Sequence, residues 1–186
     1  MRITGGRAVR RRIATPKGDT TRPTTDFMRE TLFNLLETRA PIARFLDLYA
    51  GSGAVGLDAW SRGSESVTLV ESDRAALDVI RANILHLGAG EAVEVVALPV
   101  ERALGRLANK RERYTLVFLD PPYGADAVET TLASLSELRL DDDEGLIVVQ
   151  HASRVHLAET VGSLRRFEVR RYGNSSYTFY RREVPA

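Results

Sequence analysis

The stretch Asp47-Leu48-Tyr49-Ala50-Gly51-Ser52-Gly53-Ala54-Val55-Gly56 decides how this chain folds. It joins a strand predicted over residues 45–49 to a helix predicted over 55–61. Glycines let a backbone pass close to a ligand, and the unpaired amides at the start of a helix accept an anionic or carboxylate group. Gly51, Gly53 and Gly56 also match the G-x-G-x-x-G pattern of dinucleotide-binding turns, although that match alone is weak. The stretch is therefore predicted to be a turn that binds a nucleotide cofactor.

Strands and helices continue to alternate after this turn. Strands are predicted over 66–70, 92–98, 114–119 and 146–150, and helices over 74–87, 100–108 and 127–138. Strands separated by helices favour a parallel sheet that is covered on both faces. Segments 167–172 and 177–182 alternate apolar and polar side chains around a Gly-Asn turn, which predicts an antiparallel hairpin. The predicted fold class is α/β, with a mostly parallel seven-stranded sheet and an antiparallel C-terminal hairpin.

The N-terminal residues form a basic extension of this domain. Residues 2–13 alternate around two glycines and predict a small β-hairpin, and Thr24, Thr25 and Asp26 provide caps for a helix that begins near Phe27. Residues 1–30 hold eight basic and three acidic side chains, a balance of +5, whereas the remainder carries −4. We expect residues 1–24 to form an arm that contacts a polyanion, or else a solvated tail, and residues 25–186 to form the α/β domain.

Composition excludes several classes of protein. The chain has 186 residues and no cysteine, so disulfides and thiolate metal sites are absent, and its three histidines have no zinc-binding spacing. We expect no bound metal. No apolar run approaches the roughly 20 residues that span a bilayer, and the N-terminus lacks the apolar segment of a signal peptide. We therefore expect a cytoplasmic protein that does not contact membranes.

Glu71 stands twenty residues after Gly51, at the end of the second predicted strand. A carboxylate there accepts hydrogen bonds from the ribose hydroxyls of an adenosine cofactor, although a solvated strand-end acid is the alternative interpretation. Two cofactors fit, a nicotinamide dinucleotide and S-adenosylmethionine. Asp47 favours the second, because its charge suits a cationic amino group better than a pyrophosphate. No His or Lys after the fourth strand indicates a hydride-transfer site.

A rigid corner ends the fourth strand, at Phe118-Leu119-Asp120-Pro121-Pro122-Tyr123. Prolines fix their own φ and donate no backbone hydrogen bond, so the acid and the aromatic ring are held in place. Ligands of open α/β sheets bind at this carboxyl edge. The corner therefore predicts a pocket for a flat, polar substrate. The alternative is that Asp120 caps the next helix and Tyr123 packs against it.

These motifs together resemble the RsmD family. Asp-Pro-Pro-Tyr after strand four and Asp-Leu-Tyr-Ala-Gly-Ser-Gly after strand one are similar to amino-group methyltransferases that use S-adenosylmethionine. Arg2-Ile3-Thr4-Gly5-Gly6, the block 21–30 with Phe33-Asn34, and Gly53-Ala54-Val55-Gly56-Leu57 followed by Ser61-Arg62-Gly63 narrow the resemblance to RsmD. It extends from Arg2 to about Gly173. It implies a Rossmann-like class I methyltransferase that modifies the exocyclic N2 of a guanine in 16S ribosomal RNA, in the small subunit or an assembly intermediate, as a monomer.

The resemblance also implies roles for particular residues. Asp120 and Pro121 would hold the target amine, and Tyr123 would stack on an extruded base. Cofactor contacts are expected from Thr24, Asp47, Tyr49, Ala50, Gly51, Ser52, Gly53, Glu71, Ser72, Leu98 and Asp120. RNA phosphates would be held by Arg7, Arg10, Arg11, Arg12 and Arg22.

Three positions depart from the family pattern. Phe27 stands where an arginine is usual, Ala97-Leu98-Pro99 where a Gly-Asp pair is frequent, and Gln150-His151 where Glu-His is common. These departures bear on the expected contacts with adenine and RNA more than on the expected class of reaction. The alternatives are a methyltransferase that acts on amino groups of DNA or protein, a non-catalytic RNA-binding assembly factor and, less favoured, a nicotinamide oxidoreductase.

Overall fold

The predicted alternation of strands and helices is present in the computed structural model, which describes residues 1–16, 25–122 and 125–183. The helices are α1 (Asp26–Leu36), α2 (Ala54–Ser61), α3 (Arg74–Leu87), α4 (Val100–Asn109) and α5 (Ala125–Leu138). The strands are β1 (Arg44–Leu48), β2 (Ser66–Glu71), β3 (Val93–Ala97), β4 (Tyr114–Leu119), β5 (Asp141–Ala152), β6 (Thr160–Val161), β7 (Leu164–Tyr172) and β8 (Ser175–Arg182). Among the described residues no helix is both long and apolar enough to cross a membrane.

One sheet holds all eight described strands, in the order β3-β2-β1-β4-β5-β8-β7-β6. The first five are parallel and the last three are joined by antiparallel pairing. The sequence predicts seven strands; the eighth, β6, has only two residues and is too short to show a pattern. The order reverses between β1 and β4, which is the point where open α/β sheets bind ligands.

Apolar side chains fill the space on both faces of the sheet. One buried cluster packs α1, α2 and α3 on one face, and the other packs α4 and α5 on the opposite face. Gly56 allows α2 to lie close to β2, since a Cβ there would meet Leu69 Cδ2 at 2.3 Å and Val67 Cγ1 at 2.9 Å. This close packing fixes the helix that follows the glycine turn.

The N-terminal segment differs from the predicted hairpin. It doubles back as expected, but only Arg2 and Arg12 form an antiparallel bridge, and residues Gly6–Ala8 form a short 3-10 helix. Ile3, Ala8 and Ile13 are all buried in the first cluster. Their spacing of five residues does not match strand alternation, so the segment must curl for all three to reach the core.

A buried ion pair joins this segment to the domain. Arg29 of α1 is fully buried, and its Nε lies 2.7 Å from Asp58 Oδ2 of α2. The other Asp58 oxygen accepts from the amide of Thr4 at 2.7 Å. Burial raises the pKa of Asp58 in spite of Arg29 and the Thr4 amide, which lower it. Arg29 is thus a structural residue and does not contribute to the exposed charge of the basic N-terminus.

Candidate active site

The ends of four neighbouring strands meet in one row at the carboxyl edge of the sheet. Leu48 of β1 pairs with Val70 of β2 and with Leu119 of β4, and Leu119 pairs with Val149 of β5. The next residue on each strand is Tyr49, Glu71, Asp120 and Gln150, respectively. The sheet therefore places Glu71 and Asp120 on either side of the glycine turn that follows β1.

Gly51 presents an open face at this turn. It has a φ of +57°, and a Cβ built on it would meet nothing within 4 Å. A Cβ on Gly53 would lie 3.1 Å from Leu69 Cδ1, so that glycine faces the core instead. Tyr49 also adopts a positive φ, of 65°, which is rare for a side chain of its size. Of these glycines, Gly51 is the one that can approach a ligand.

Backbone amides hold the Glu71 carboxylate. Oε2 accepts from Gly51 N at 2.8 Å, and Oε1 accepts from Ser72 N at 2.7 Å and Asp73 N at 2.8 Å. An ionised carboxylate has about four acceptor positions, so about one remains for a further donor. Glu71 is therefore fixed against the glycine turn, which differs from a solvated strand-end acid.

Asp47 lies beneath the turn and is almost completely buried. Its Oδ2 accepts from Gly56 N at 2.9 Å, which satisfies an amide in the first turn of α2. Burial raises its pKa to about 8; the Gly56 amide opposes that rise, and the charges of Asp120 and Glu71 add to it. Its observed contact is with the helix, and contact with a cofactor stays a prediction.

The other residues predicted to contact a cofactor surround the turn. Ser52 and Ala50 are buried in it, while Tyr49 and Leu98 are half-buried and pack on the α4 and α5 side. The Tyr49 hydroxyl lies 2.8 Å from Thr131 Oγ1 of α5. Burial raises the pKa of Tyr49. Thr131 thus fixes the Tyr49 ring at the edge of the predicted site.

Asp120 is held by a side chain from the next strand. It is half-buried, and its Oδ2 accepts from Gln150 Nε2 at 3.1 Å. Pro121 is half-buried beside it and Pro122 is exposed. On β8, the Tyr177 hydroxyl donates to Met28 O at 2.9 Å, and the charge of Asp120 contributes to the raised pKa of Tyr177, after burial. The start of α1 is thus anchored on the same side of the sheet as this corner.

Three predicted site residues, Thr24, Arg22 and Tyr123, lie outside the described residues. The N-cap of α1 is Thr25, whose Oγ1 accepts from Met28 N at 3.2 Å. Phe27 is 65% exposed at the start of that helix. The predicted start of α1 is confirmed, while the roles of the three residues stay predictions.

The predicted RNA-binding arginines fall into two groups. Arg7 donates to Trp60 O at 3.0 Å and stacks over the Trp60 ring, and Arg11 donates to the carbonyls of His86 and Leu87. Arg10 and Arg12 are exposed, and within the described part of the chain their side chains make no hydrogen bond or ion pair. Arg7 and Arg11 therefore also attach the N-terminal segment to the domain.

Two of these contacts, those made by Gln150 and Thr131, have little signal in the sequence. Gln150 stood out only as a departure from a family pattern, and Thr131 had no signal beyond its place on a helix. Both contacts cross between elements distant in sequence, so they depend on strand register and helix packing. The available signal for Gln150 was its position as a polar residue at the end of the fifth predicted strand, directly before His151.

The family model described as Conserved hypothetical protein 95 matches residues 1–181. Ribosomal RNA small subunit methyltransferase D of Escherichia coli K12 is 36% identical over 184 residues, which cover 99% of this chain and 91% of that protein. The chain belongs to the RsmD family. Another relative, the putative rRNA methyltransferase YlbH of Bacillus subtilis 168, is 34% identical over 98% of this chain and 99% of its own length.

Solved structures agree with this membership of the RsmD family. A putative methyltransferase, yhhF, from Escherichia coli superposes with a TM-score of 0.81 at 35% identity, covering 100% of this chain and 99% of its own. A hypothetical protein from Thermus thermophilus has a TM-score of 0.82 at 37% identity, covering 96% and 98%. The predicted Rossmann-like methyltransferase fold is confirmed.

Proposed function

We propose that this chain transfers a methyl group from S-adenosylmethionine to the exocyclic N2 of a guanine in 16S ribosomal RNA. The observation that supports this most is the row of strand ends, in which the Asp120 corner and the fixed Glu71 carboxylate lie on either side of the open Gly51 turn. The names of the RsmD relatives support the small-subunit RNA as the substrate. The choice of guanine N2 rests on the family resemblance, and the acid-aromatic corner supports only a flat substrate with an amino group.

The residues at the β1 and β2 ends fit S-adenosylmethionine. Gly51 offers an open backbone face, and Glu71 retains acceptor capacity for ribose hydroxyls. Glu71 and Asp120 both lie near enough to Asp47 for their charges to add to the rise in its pKa, after the larger effect of burial. Because the pKa of Asp47 is raised to about 8, Asp47 holds a proton at neutral pH, and the negative charge beside the turn comes from Glu71 and Asp120. That charge favours a cation over a pyrophosphate. The cofactor supplies an electrophilic methyl group on a positively charged sulfonium.

At the other side of the turn, Asp120 would hold the target amine. The lone pair of a guanine N2 is delocalised into the ring, so the amine is a weak nucleophile. Hydrogen bonds from its two protons to Asp120 and the carbonyl of Pro121 favour the pyramidal geometry that exposes the lone pair. Gln150 orients Asp120 by donating to Oδ2. The amine becomes acidic once the methyl group has been added, so Asp120 need not be a strong base.

Tyr123 would stack on the extruded base, and the exposed Arg10 and Arg12 would contact phosphates together with Arg7, Arg11 and Arg22. We expect the protein to act as a monomer on the small subunit or on an assembly intermediate. These roles are consistent with a basic N-terminal segment that the hydrogen bond from the Thr4 amide to Asp58 attaches to the domain.

Labelled S-adenosylmethionine tests the proposal directly. The protein is incubated separately with naked 16S RNA, small subunits, DNA and total protein, and labelled RNA is digested to nucleosides. We expect label in RNA, as N2-methylguanosine. Label in DNA or protein would contradict the proposal in favour of another amino-group methyltransferase, and cofactor binding without transfer to any of them would favour an assembly factor.

A further inference from the structure

A groove of about 470 Å³ lies against the outer strand β7, lined by Val169, Arg170, Arg171 and Tyr172. Within the described ranges, strand β6 pairs with β7 only at Leu164 and Arg165. Among the described residues, the backbone of β7 from Phe167 to Tyr172 therefore has a strand neighbour on one side only, β8. This leaves the groove open along the lateral side of the sheet, next to β7.

The groove lies at the carboxyl edge of the sheet, which is also the edge that carries Asp120. Gln150, which donates to Asp120, pairs with Tyr177 of β8, and Tyr177 pairs with Arg170 of β7. Neighbouring strands lie about 4.8 Å apart, so Arg170 follows Asp120 by three strand spacings, about 15 Å along the row. A chain that brings one nucleotide to Asp120 can therefore extend its neighbouring nucleotides into the groove.

Positive charge is concentrated at this end of β7. At the far end, Arg165 and Arg166 form ion pairs with Glu183 and Glu159. Near the groove, Glu168 is shared by Arg39 and Arg170. Arg171 has no acidic partner within the described ranges. The surface beside the groove thus has an excess of positive charge.

Arg154 adds to that charge. It is exposed in the turn after β5, next to Ser153, whose amide donates to Asn174 O at 3.0 Å and so holds the turn against the β7–β8 hairpin. No acid in the described part of the chain pairs with Arg154. Arg171 in turn lies near enough to His151 for its charge to help lower the pKa of that histidine, after the larger effect of burial. Arg154 and Arg171 are therefore both exposed near the hairpin end, Arg171 in the lining of the groove and Arg154 in the turn held against the hairpin.

The groove also contains an aromatic side chain. Tyr172 is half-buried and meets Tyr177 edge to face, with ring centroids 6.3 Å apart. Unpaired bases stack on aromatic rings while arginines contact the backbone phosphates, and this combination is typical of surfaces for single strands. Extrusion of a target base also requires an unpaired region around it.

We propose that the groove binds a single-stranded segment of the substrate RNA next to the target nucleotide, with Arg171 and Arg154 at its phosphates and Tyr172 against a base. This inference rests on the proposed RNA methyl transfer. It adds a second RNA surface at the C-terminal hairpin, on the opposite side of Asp120 from the glycine turn.

The test compares two double variants that remove the same charge. The first, Arg154→Ala with Arg171→Ala, removes the proposed phosphate contacts. The second, Arg113→Ala with Arg139→Ala, removes two exposed arginines from the loops that precede β4 and β5, at the edge of the sheet opposite to the carboxyl edge. Each phosphate contact to a single strand contributes about 0.7 to the slope of log affinity against log salt. We expect the first variant to lose about 1.4 from that slope with naked 16S RNA and to raise the KM for RNA. Its kcat and its affinity for S-adenosylmethionine should stay the same, and the control should keep the wild-type slope.

Tyr172→Leu keeps an apolar contact with Tyr177 but loses the flat ring. It should weaken RNA binding about fivefold or more while leaving the salt slope unchanged. Equal slopes for wild type and the Arg154/Arg171 variant would overturn the assignment, even if wild type methylates RNA. A defect seen only with assembled subunits would also overturn it, in favour of a ribosomal protein at the groove. Failure of wild type to methylate any RNA would overturn the proposed function and this inference together.

Discussion

The two halves of the sheet's carboxyl edge are held by different kinds of contact. In the half formed by β1 and β2, which we call the turn half, the Glu71 carboxylate is fixed by the amides of Gly51, Ser72 and Asp73. In the half formed by β4 and β5, the corner half, Asp120 is held by the side chain of Gln150. Backbone amides move only with the fold, while a side-chain contact can be changed alone. Substitutions in the turn half should therefore alter stability and cofactor binding, and those in the corner half should alter turnover.

Gly56→Ala is expected to have the largest effect on stability in the turn half. The new Cβ would overlap Leu69 and Val67 and would push α2 away from β2. Overpacking of a core costs about 1–3 kcal/mol, and we expect about 3 kcal/mol here because the closest contact would be 2.3 Å. Denaturant unfolding measures the change.

Gly105→Ala is the matched control. Gly105 lies inside α4, and a Cβ there meets nothing within 4 Å. It should raise the free energy of unfolding by about 0.5–1 kcal/mol because alanine favours a helix over glycine. If both substitutions had the same effect, close packing of α2 on β2 would not be the function of Gly56.

Asp47→Asn should make stability less dependent on pH. The folded-state pKa of Asp47 is raised to about 8, so between its unfolded value and pH 8 the folded chain binds one more proton, and stability falls as pH rises. The loss is at most about 1.4 kcal/mol per pH unit. We expect the unfolding free energy of the variant, relative to wild type, to rise by about 2 kcal/mol from about pH 5 to about pH 7.

Asp78→Asn provides the comparison for that experiment. Asp78 is exposed on α3, and its one ion pair with a described residue is a 3.4 Å contact with Arg81. The difference between Asp78→Asn and wild type should be nearly the same at both pH values. A constant difference for Asp47→Asn as well would show that its carboxyl is not responsible for the pH dependence.

Gln150→Ala should have the smallest of the three effects and should be confined to the corner half. It removes the donor to Asp120, a bond to a charged group worth about 1.5 kcal/mol, so we expect about a tenfold decrease in kcat. Affinity for S-adenosylmethionine should not change. Weaker cofactor binding with a normal kcat would show that Gln150 supports the cofactor site and not the positioning of Asp120.

The sequence predicted the regular elements because their signals are local. Helix α3 and strand β4 have the predicted bounds, since an Asp73 cap, Gly88 and apolar runs mark their ends. Strand β5 begins at Asp141 and not at residue 146, because its acidic start hides the strand pattern and its pairing with β4 shifts register after Tyr114. Local patterns do not record such irregular pairing.

Part of the candidate site was also predictable, because its spacing follows from the local order of elements. The spacing from Gly51 to Glu71 follows from the strand–turn–helix–strand order, and the structure brings the two into contact. Arg29 adds to the basic balance of the N-terminal sequence, yet it is buried against Asp58, twenty-nine residues away. The partner of a buried charge depends on tertiary packing, which composition and spacing do not contain.

The different roles of the turn half and the corner half are tested most directly by two substitutions, Asp120→Asn and Glu71→Gln. For each variant, S-adenosylmethionine affinity and kcat are measured. Asp120→Asn should lower kcat at least a hundredfold and weaken cofactor affinity far less, because a preorganised hydrogen-bonding group contributes about 10²–10³-fold to turnover. Glu71→Gln should weaken affinity about tenfold, the effect of one lost charged hydrogen bond. Near-normal turnover of Asp120→Asn with normal cofactor binding would contradict the account.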